Sequence, residues 1–392
     1  MASRARLAIL GLAVAAGVGG GLALREWRSG EGGIVWVESD AEALAEAQPE
    51  IARRAAEDSA PGGLKRTHLP ESVVENMMPL KQSREYDPHC YFVARPNRTY
   101  ERTWREHPEG GFVIRTNSLG LRMDFDPAPE KPDLRILVAG DSHMAGVCNN
   151  SEGTAGRLQA LLQGNDPART VEVVNGSQGA YSFYHYLGVL ERMQALGHPP
   201  DLMVVVVYGG NDFVAVWMWH FFEGSKRYRL TGPQARLKRA IAESHSNPMG
   251  QVLNAASYFT WAGEDEVENA LTCARQATAE IARRCAEEEI GLLVVLLPAP
   301  SELPGCAPQE AIDGGLEALG LTRGDAGILG EMGARYLEDV RELGVPLLDL
   351  TPTFREANRP LYWERDLHLS VDGHDLAART VLPWVERWWA EH

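Results

Sequence analysis

Four short motifs follow one another along the chain: Gly140-Asp141-Ser142, Gly179, Gly209-Gly210-Asn211-Asp212 and Asp366-Leu367-His368. Together their residue types supply what acyl transfer needs. A hydroxyl attacks a carbonyl, amide donors hold the oxyanion, an imidazole takes the hydroxyl proton, and a carboxylate orients that imidazole. Ser142 is the candidate nucleophile, His368 the candidate base and Asp366 its orienting acid. Glycine at 179 lets its amide come close to a ligand oxygen. Asn211 offers a side-chain amide to the same oxygen. Each motif also has a plainer reading. Gly-Asp-Ser is a common strand-to-helix turn, with Ser142 as helix N-cap and Asp141 bonding backbone amides. Gly179 is equally an ordinary turn glycine, and Gly176 competes for its role. Asn and Asp after a strand make turns. A lone histidine is commonly a satisfied core or surface residue. His374 is a rival base but falls inside a predicted helix, and His143 reads as a pocket or packing residue. The order of the motifs and their placement at strand ends favour the chemical reading.

The elements that must position these residues are legible as aliphatic runs. Arg135–Gly140, Val171–Val174, Leu202–Tyr208, Gly291–Leu297 and Val345–Leu350 are predicted strands. Continuous apolar runs of this length fit strands buried on both faces, as in a parallel sheet covered by helices. Amphipathic stretches at Thr154–Leu162, Tyr181–Leu196, Glu266–Glu289, Glu331–Leu343 and Val371–Trp389 lie between or after them. The alternation predicts a doubly wound α/β sheet. Upstream, Phe112-Val113-Ile114 and the turn signal Asn117-Ser118-Leu119-Gly120 predict a small β-rich lead-in over 86–133. The segment 213–264 is longer than a crossover needs. Its Trp217, Trp219, His220, Phe221 and Phe222 read as helix core or, because they follow a motif directly, as a lid or substrate wall. No internal repeat is present.

The 392 residues carry a formal charge of −16 and no basic stripe, so nucleic acid is not an expected partner. Arg4 and Arg6 precede an uncharged run from Leu7 to Leu24, the pattern of a signal peptide or a membrane anchor over 1–30. That run is just long enough to cross a bilayer. The lack of a small-x-small cleavage site after Leu22 favours the anchor, whereas Arg25 and Arg28 weaken the orientation argument. Either way the body is expected to be exported. Residues 31–85, broken by Ser59-Ala60-Pro61-Gly62-Gly63, read as a spacer. Five cysteines cannot all pair. Cys273 and Cys285 sit on one predicted helix about 18 Å apart, too far to bridge. Cys90, Cys148 and Cys306 remain candidate partners. No Cys/His spacing suggests a metal site, and the chemistry needs no cofactor.

The four motifs in this order resemble the blocks of the SGNH hydrolases, the GDSL esterase/lipase superfamily. The resemblance covers roughly Leu134 to the C-terminus. Tyr86-Asp87-Pro88 and Thr116-Asn117-Ser118-Leu119-Gly120-Leu121-Arg122 also look like the lead-in of exported bacterial members. The resemblance implies a three-layer α/β/α sandwich with a five-stranded parallel sheet over 134–392. It implies a serine esterase acting on carboxylic esters such as O-acetylated glycans or lipids. The oxyanion hole would be the Ser142 amide, the Gly179 amide and the Asn211 side chain. One departure stands out. The family's last block places the acid three residues before the histidine, where this chain has Arg365, so Asp366 takes the role and Glu364 is the fallback. A related branch that includes polysaccharide O-acetyltransferases looks similar in using Asp-x-His. This keeps acyl transfer to a cell-surface glycan open. A non-catalytic binding protein on the same fold is the alternative from a different class.

Overall fold

The computed structural model describes residues 69–77, 80, 83–216, 219 and 253–392. The predicted membrane segment, the spacer through residue 68, and Trp217, His220, Phe221 and Phe222 lie outside the described residues. The end of the predicted spacer is packed. Helix α1 (Glu71–Met77) contributes Val74 to the main core, and Leu69 and Leu80 are buried with it. The lead-in is two antiparallel hairpins, β1 (Arg84–Asp87) with β2 (Tyr91–Ala94), and β3 (Arg98–Thr103) with β4 (Gly111–Thr116).

The centre is a five-stranded sheet formed by β5 (Leu134–Gly140), β6 (Val171–Asn175), β7 (Leu202–Tyr208), β8 (Gly291–Leu297) and β9 (Leu347–Asp349). All neighbours are parallel, in the order β6-β5-β7-β8-β9. The helices include α2 (Thr154–Asn165), α3 (Phe183–Ala195), α4 (Asn254–Ala262), α5 (Glu264–Glu287), α6 (Ile328–Glu342) and α7 (Val371–Glu391). Side chains alternate between the two faces of each strand, so one aliphatic run feeds two cores. Leu137, Ala139, Val205, Val207, Val294 and Leu296 pack with α3, α5 and α6. Ile136, Val138, Val204, Val206, Leu293 and Val295 pack with α2 and α7. The result is the expected three-layer α/β/α sandwich. Among the described residues no helix is long and apolar enough to cross a membrane.

The strand order has its reversal between β5 and β7, whose chain continuations diverge to opposite sides. In open α/β sheets that switch point, at the carboxyl ends of the strands, is where ligands bind. Ser142 follows β5, Gly179 follows β6 and Asn211 follows β7. All five cysteines are buried, and none is joined in a disulfide among the described residues. In the described part of 213–264, Phe213, Val214, Val216 and Trp219 are buried, with Trp219 stacked 4.9 Å from Tyr91, while Glu264 is exposed.

Candidate active site

The turn that bears the candidate nucleophile, Ser142, is shaped by Gly140. A Cβ there would lie 2.5 Å from Met144 Cγ, so only glycine lets the chain fold back over the strand into the helical turn Ser142–Ala145. The helix cap is Asp141, not Ser142. Asp141 Oδ1 accepts the His143 N–H at 2.8 Å, and its Oδ2 accepts the Ser142 hydroxyl at 3.3 Å. The helix of this strand-to-helix turn is a single turn, closed by Gly146 at φ +87°.

Two further strand ends flank it. After β6, Gln178 N–H bonds Gly140 O at 3.3 Å, and Arg84 Nη2 bonds Gly179 O at 3.3 Å. The loop is therefore tied to both the nucleophile strand and the lead-in. Ala180 carries φ +72°, a left-handed conformation that non-glycine residues adopt at a cost of about 1–2 kcal/mol. Gly176 is a packing residue, since a Cβ there would meet Leu137 Cδ1 at 2.9 Å. After β7, Asn211 is buried beside Asp212. Tyr186 Oη–H and Tyr208 N–H both donate to Asp212 Oδ2, at 2.7 and 2.8 Å, while buried Oδ1 makes no hydrogen bond. Burial, and then the charge of Asp141, push the Asp212 carboxyl well above the usual range. Asp212 thus does more than make a turn.

The candidate base, His368, lies in a tight loop. Trp363 N–H bonds His368 O at 2.9 Å, and Leu367 N–H bonds Trp363 O at 3.1 Å. Leu367 sits at φ +62°. That left-handed residue lets Asp366, only two positions away, fold its carboxylate back onto His368. Asp366 Oδ1 bonds His368 Nδ1 and also accepts the His368 N–H at 3.3 Å. Glu364 and Arg365 are exposed, and their backbone N–H groups bond Glu106, so the fallback acid is not at the imidazole. Ser142 is 1% exposed and His368 0%. His368 Nε2 makes no hydrogen bond, and the Ser142 hydroxyl is on Asp141. The two are joined through a neighbour: the ring of His143 lies 4.7 Å from that of His368, and its Nδ1 accepts the Leu369 N–H at 3.3 Å.

Burial pulls the His368 imidazole down, but Asp366, through charge and hydrogen bond, and Asp141 outweigh it, leaving its pKa above the ordinary value against the opposing charge of Arg122. Asp141 is pushed up to about 6 by burial, with His368 and the hydrogen bonds from His143 and Ser142 opposing. His143 is held well below the imidazole range by burial and by His368 and His374. His374, the rival base, is in α7, where its Nδ1 bonds Thr154 Oγ1 at 2.9 Å. Burial, and then Arg122, lower it to about 3.

Sequence reasoning missed the clamp around these loops. Arg122 is buried, and its guanidinium bonds Gly146 O, Cys148 O and Asn150 Oδ1, fixing the segment that follows the nucleophile turn. Trp363 Nε1–H bonds Val147 O at 3.1 Å, and Trp363 packs with Val147 and with Phe112 of β4. Glu106 caps the base loop, while Val113 N–H bonds Asn149 Oδ1 at 2.8 Å. The lead-in therefore holds both halves of the site. The available signal was Arg122 in the turn motif, the one charged residue of Leu119-Gly120-Leu121-Arg122-Met123. Among the described residues no group of three or more His, Cys, Asp or Glu is arranged to hold a metal ion.

The chain matches no protein-family model and no curated protein sequence. Solved structures to which it is similar include an acetylxylan esterase from Geobacillus stearothermophilus, at 13% identity and TM-score 0.36 over 66% of this chain and 97% of that one. An α/β hydrolase from the metagenome of Lake Arreo, Spain, shows 18% identity and TM-score 0.35, over 65% and 95%. A two-domain esterase active on acetylated mannans shows 12% identity and TM-score 0.35, over 65% of this chain and 50% of that one. These overlays are too loose to transfer a role to any residue.

Proposed function

We propose that the chain is a serine ester hydrolase working through an acyl-enzyme. Ser142 attacks an ester carbonyl and His368 takes its proton. The Ser142 amide, the Gly179 amide and the Asn211 side chain hold the oxyanion, and His368 returns the proton to the departing alcohol. Water then repeats the sequence on the acyl-serine. Asp366 fixes the Nδ1–H tautomer and stabilises the imidazolium, which leaves Nε2 as the base. The observation that carries this reading is the Asp366–His368 bond with a buried, unbonded Nε2, next to the turn that bears Ser142. Before attack the Ser142 hydroxyl exchanges its bond to Asp141 for one to His368.

Ser142→Ala should keep the fold and abolish both cleavage of a short-chain aryl ester and labelling by a fluorophosphonate probe. Equal cleavage by the variant refutes the assignment. The substrate class proposed is a carboxylic ester such as an O-acetylated glycan or a lipid, read out by an acyl-chain and glycan-ester panel. A second reading is favoured by the near-zero exposure of Ser142 and His368 and by the Asp-x-His spacing: transfer of the acyl group to a glycan hydroxyl, with water kept out. A sugar acceptor in competition with water, with the acyl group followed, separates the two. The apolar run Leu7–Leu24 after Arg4 and Arg6 supports an exported protein held at a membrane. Membrane fractionation with N-terminal sequencing tests this.

A further inference from the structure

From the turn that bears Ser142, the side chain of His143 touches both the end of β7 and the loop that bears His368. Its own N–H is bonded by Asp141 Oδ1 at 2.8 Å in the nucleophile turn. Its ring lies on Tyr208, centroids 3.9 Å apart, at the end of β7 that leads into Asn211. Its Nδ1 accepts the N–H of Leu369, the residue after His368, and the two imidazoles are 4.7 Å apart. The Trp363 Nε1–H bond to Val147 O also ties these loops, but it reaches the segment after the turn that bears Ser142. Leu at position 143 would fill the space but accept no hydrogen bond. An Nδ1 that accepts an N–H carries no proton, so the ring's proton is on Nε2. That atom is buried and makes no hydrogen bond.

We propose that His143 is a positioning residue for the reaction proposed above: its unprotonated Nδ1, by accepting the Leu369 N–H, holds His368 in register with Ser142. The charge pattern agrees. His143 faces His368 from the base loop and His374 from α7, two groups that oppose its protonation. His368 in turn faces Asp366 in its own loop, Asp141 and His143 in the nucleophile turn, Arg122 from the lead-in and His374 from α7. When His368 takes the serine proton, its closest ring neighbour is thus neutral, and the cation formed is balanced by Asp366 and Asp141. A protonated His143 would set two N–H donors against each other at Leu369 and release the loop.

The test separates ring from acceptor. His143→Phe keeps a ring against Tyr208 and removes the acceptor, whereas His143→Asn places Oδ1 where Nδ1 stood. Phe should lower kcat about 10- to 100-fold with KM changed less than about 2-fold, the size expected for a misplaced catalytic group. Asn should recover most of the loss. A Phe variant with at least half the original kcat, or an Asn variant no better than Phe, overturns the proposal. Nitrogen-15 NMR of the histidine-labelled protein reads it without turnover. His143 should show the Nε2–H tautomer from pH 5 to 9, and the His368 titration should move in the Phe variant. Turnover with a freely titrating His143 defeats this inference alone. A fixed tautomer without any ester turnover leaves it standing and defeats the esterase reading.

Discussion

His368 and His374 are six residues apart, equally buried, and opposite in character. The first sits in an irregular loop folded around a carboxylate. The second sits in the first turn of α7, hydrogen-bonded to a neutral threonine and facing Arg122 and Arg157. Burial opposes the charged form of both. What differs is the charge that each backbone brings near: the left-handed Leu367 delivers Asp366 to His368, whereas the helix offers His374 no anion. The comparison teaches that burial does not decide whether a histidine can be a base. The local carboxylate does.

The hardest blow to this contrast is Asp366→Asn, which gives His368 a neutral partner like that of His374. We expect kcat to fall about 1000-fold or more. Burial and Arg122 then act on His368 with only Asp141 against them. The acid limb of the pH–rate profile, which reflects the base losing activity when protonated, should move from above the ordinary imidazole value to lower pH. An unmoved limb would mean that His368 is not the titrating base. Asn211→Ala sharpens the contrast from outside. It should cost about 100-fold in kcat, the usual effect of one oxyanion donor, with the acid limb unshifted.

His374 should appear in stability rather than rate. Its folded pKa of about 3 is below the unfolded value near 6.5, so the unfolded chain binds more protons in between. Stability is then complete above that unfolded value and is lost as pH falls toward the folded one. The loss at pH 4.5 is on the order of 3 kcal/mol. His374→Leu should flatten the fall in urea midpoint between pH 7 and 4.5 while retaining ester cleavage. His368 has the reverse sign: its raised value contributes stability at low pH that fades as pH climbs through it. The smallest effect is expected of Trp363→Phe, which deletes the bond to Val147 O. About 1 kcal/mol of stability and less than about a 10-fold drop in kcat should be lost.

Much of this was legible in the chain. Five mostly aliphatic runs marked five strands because a strand covered on both faces takes few polar side chains, although the fifth, β9, shrinks to the half-buried Leu347–Asp349 after Pro346. The candidate residues were legible because strand ends in such a sheet converge. The rest was not, because it depends on partners distant in sequence. Asp141 reads as a turn residue until Ser142 and His143 are seen bonding to it. Asp212 reads as half of an Asn-Asp turn until Tyr186 and Tyr208 bury it. His143 reads as packing until Leu369, 226 positions on, donates to its ring.

By itself, then, the amino-acid order determined the layers, the strand-end placement of Ser142, Gly179 and Asn211, and an Asp-x-His pair close enough along the backbone to meet. These follow from periodicity and short-range geometry, which a polypeptide carries locally. Only the tertiary structure decided that the Ser142 hydroxyl rests on Asp141, that Arg122 and the lead-in clamp both loops, and in which direction each buried imidazole is shifted. Those depend on dielectric surroundings and on charges brought together across hundreds of residues, and neither exists until the chain has folded.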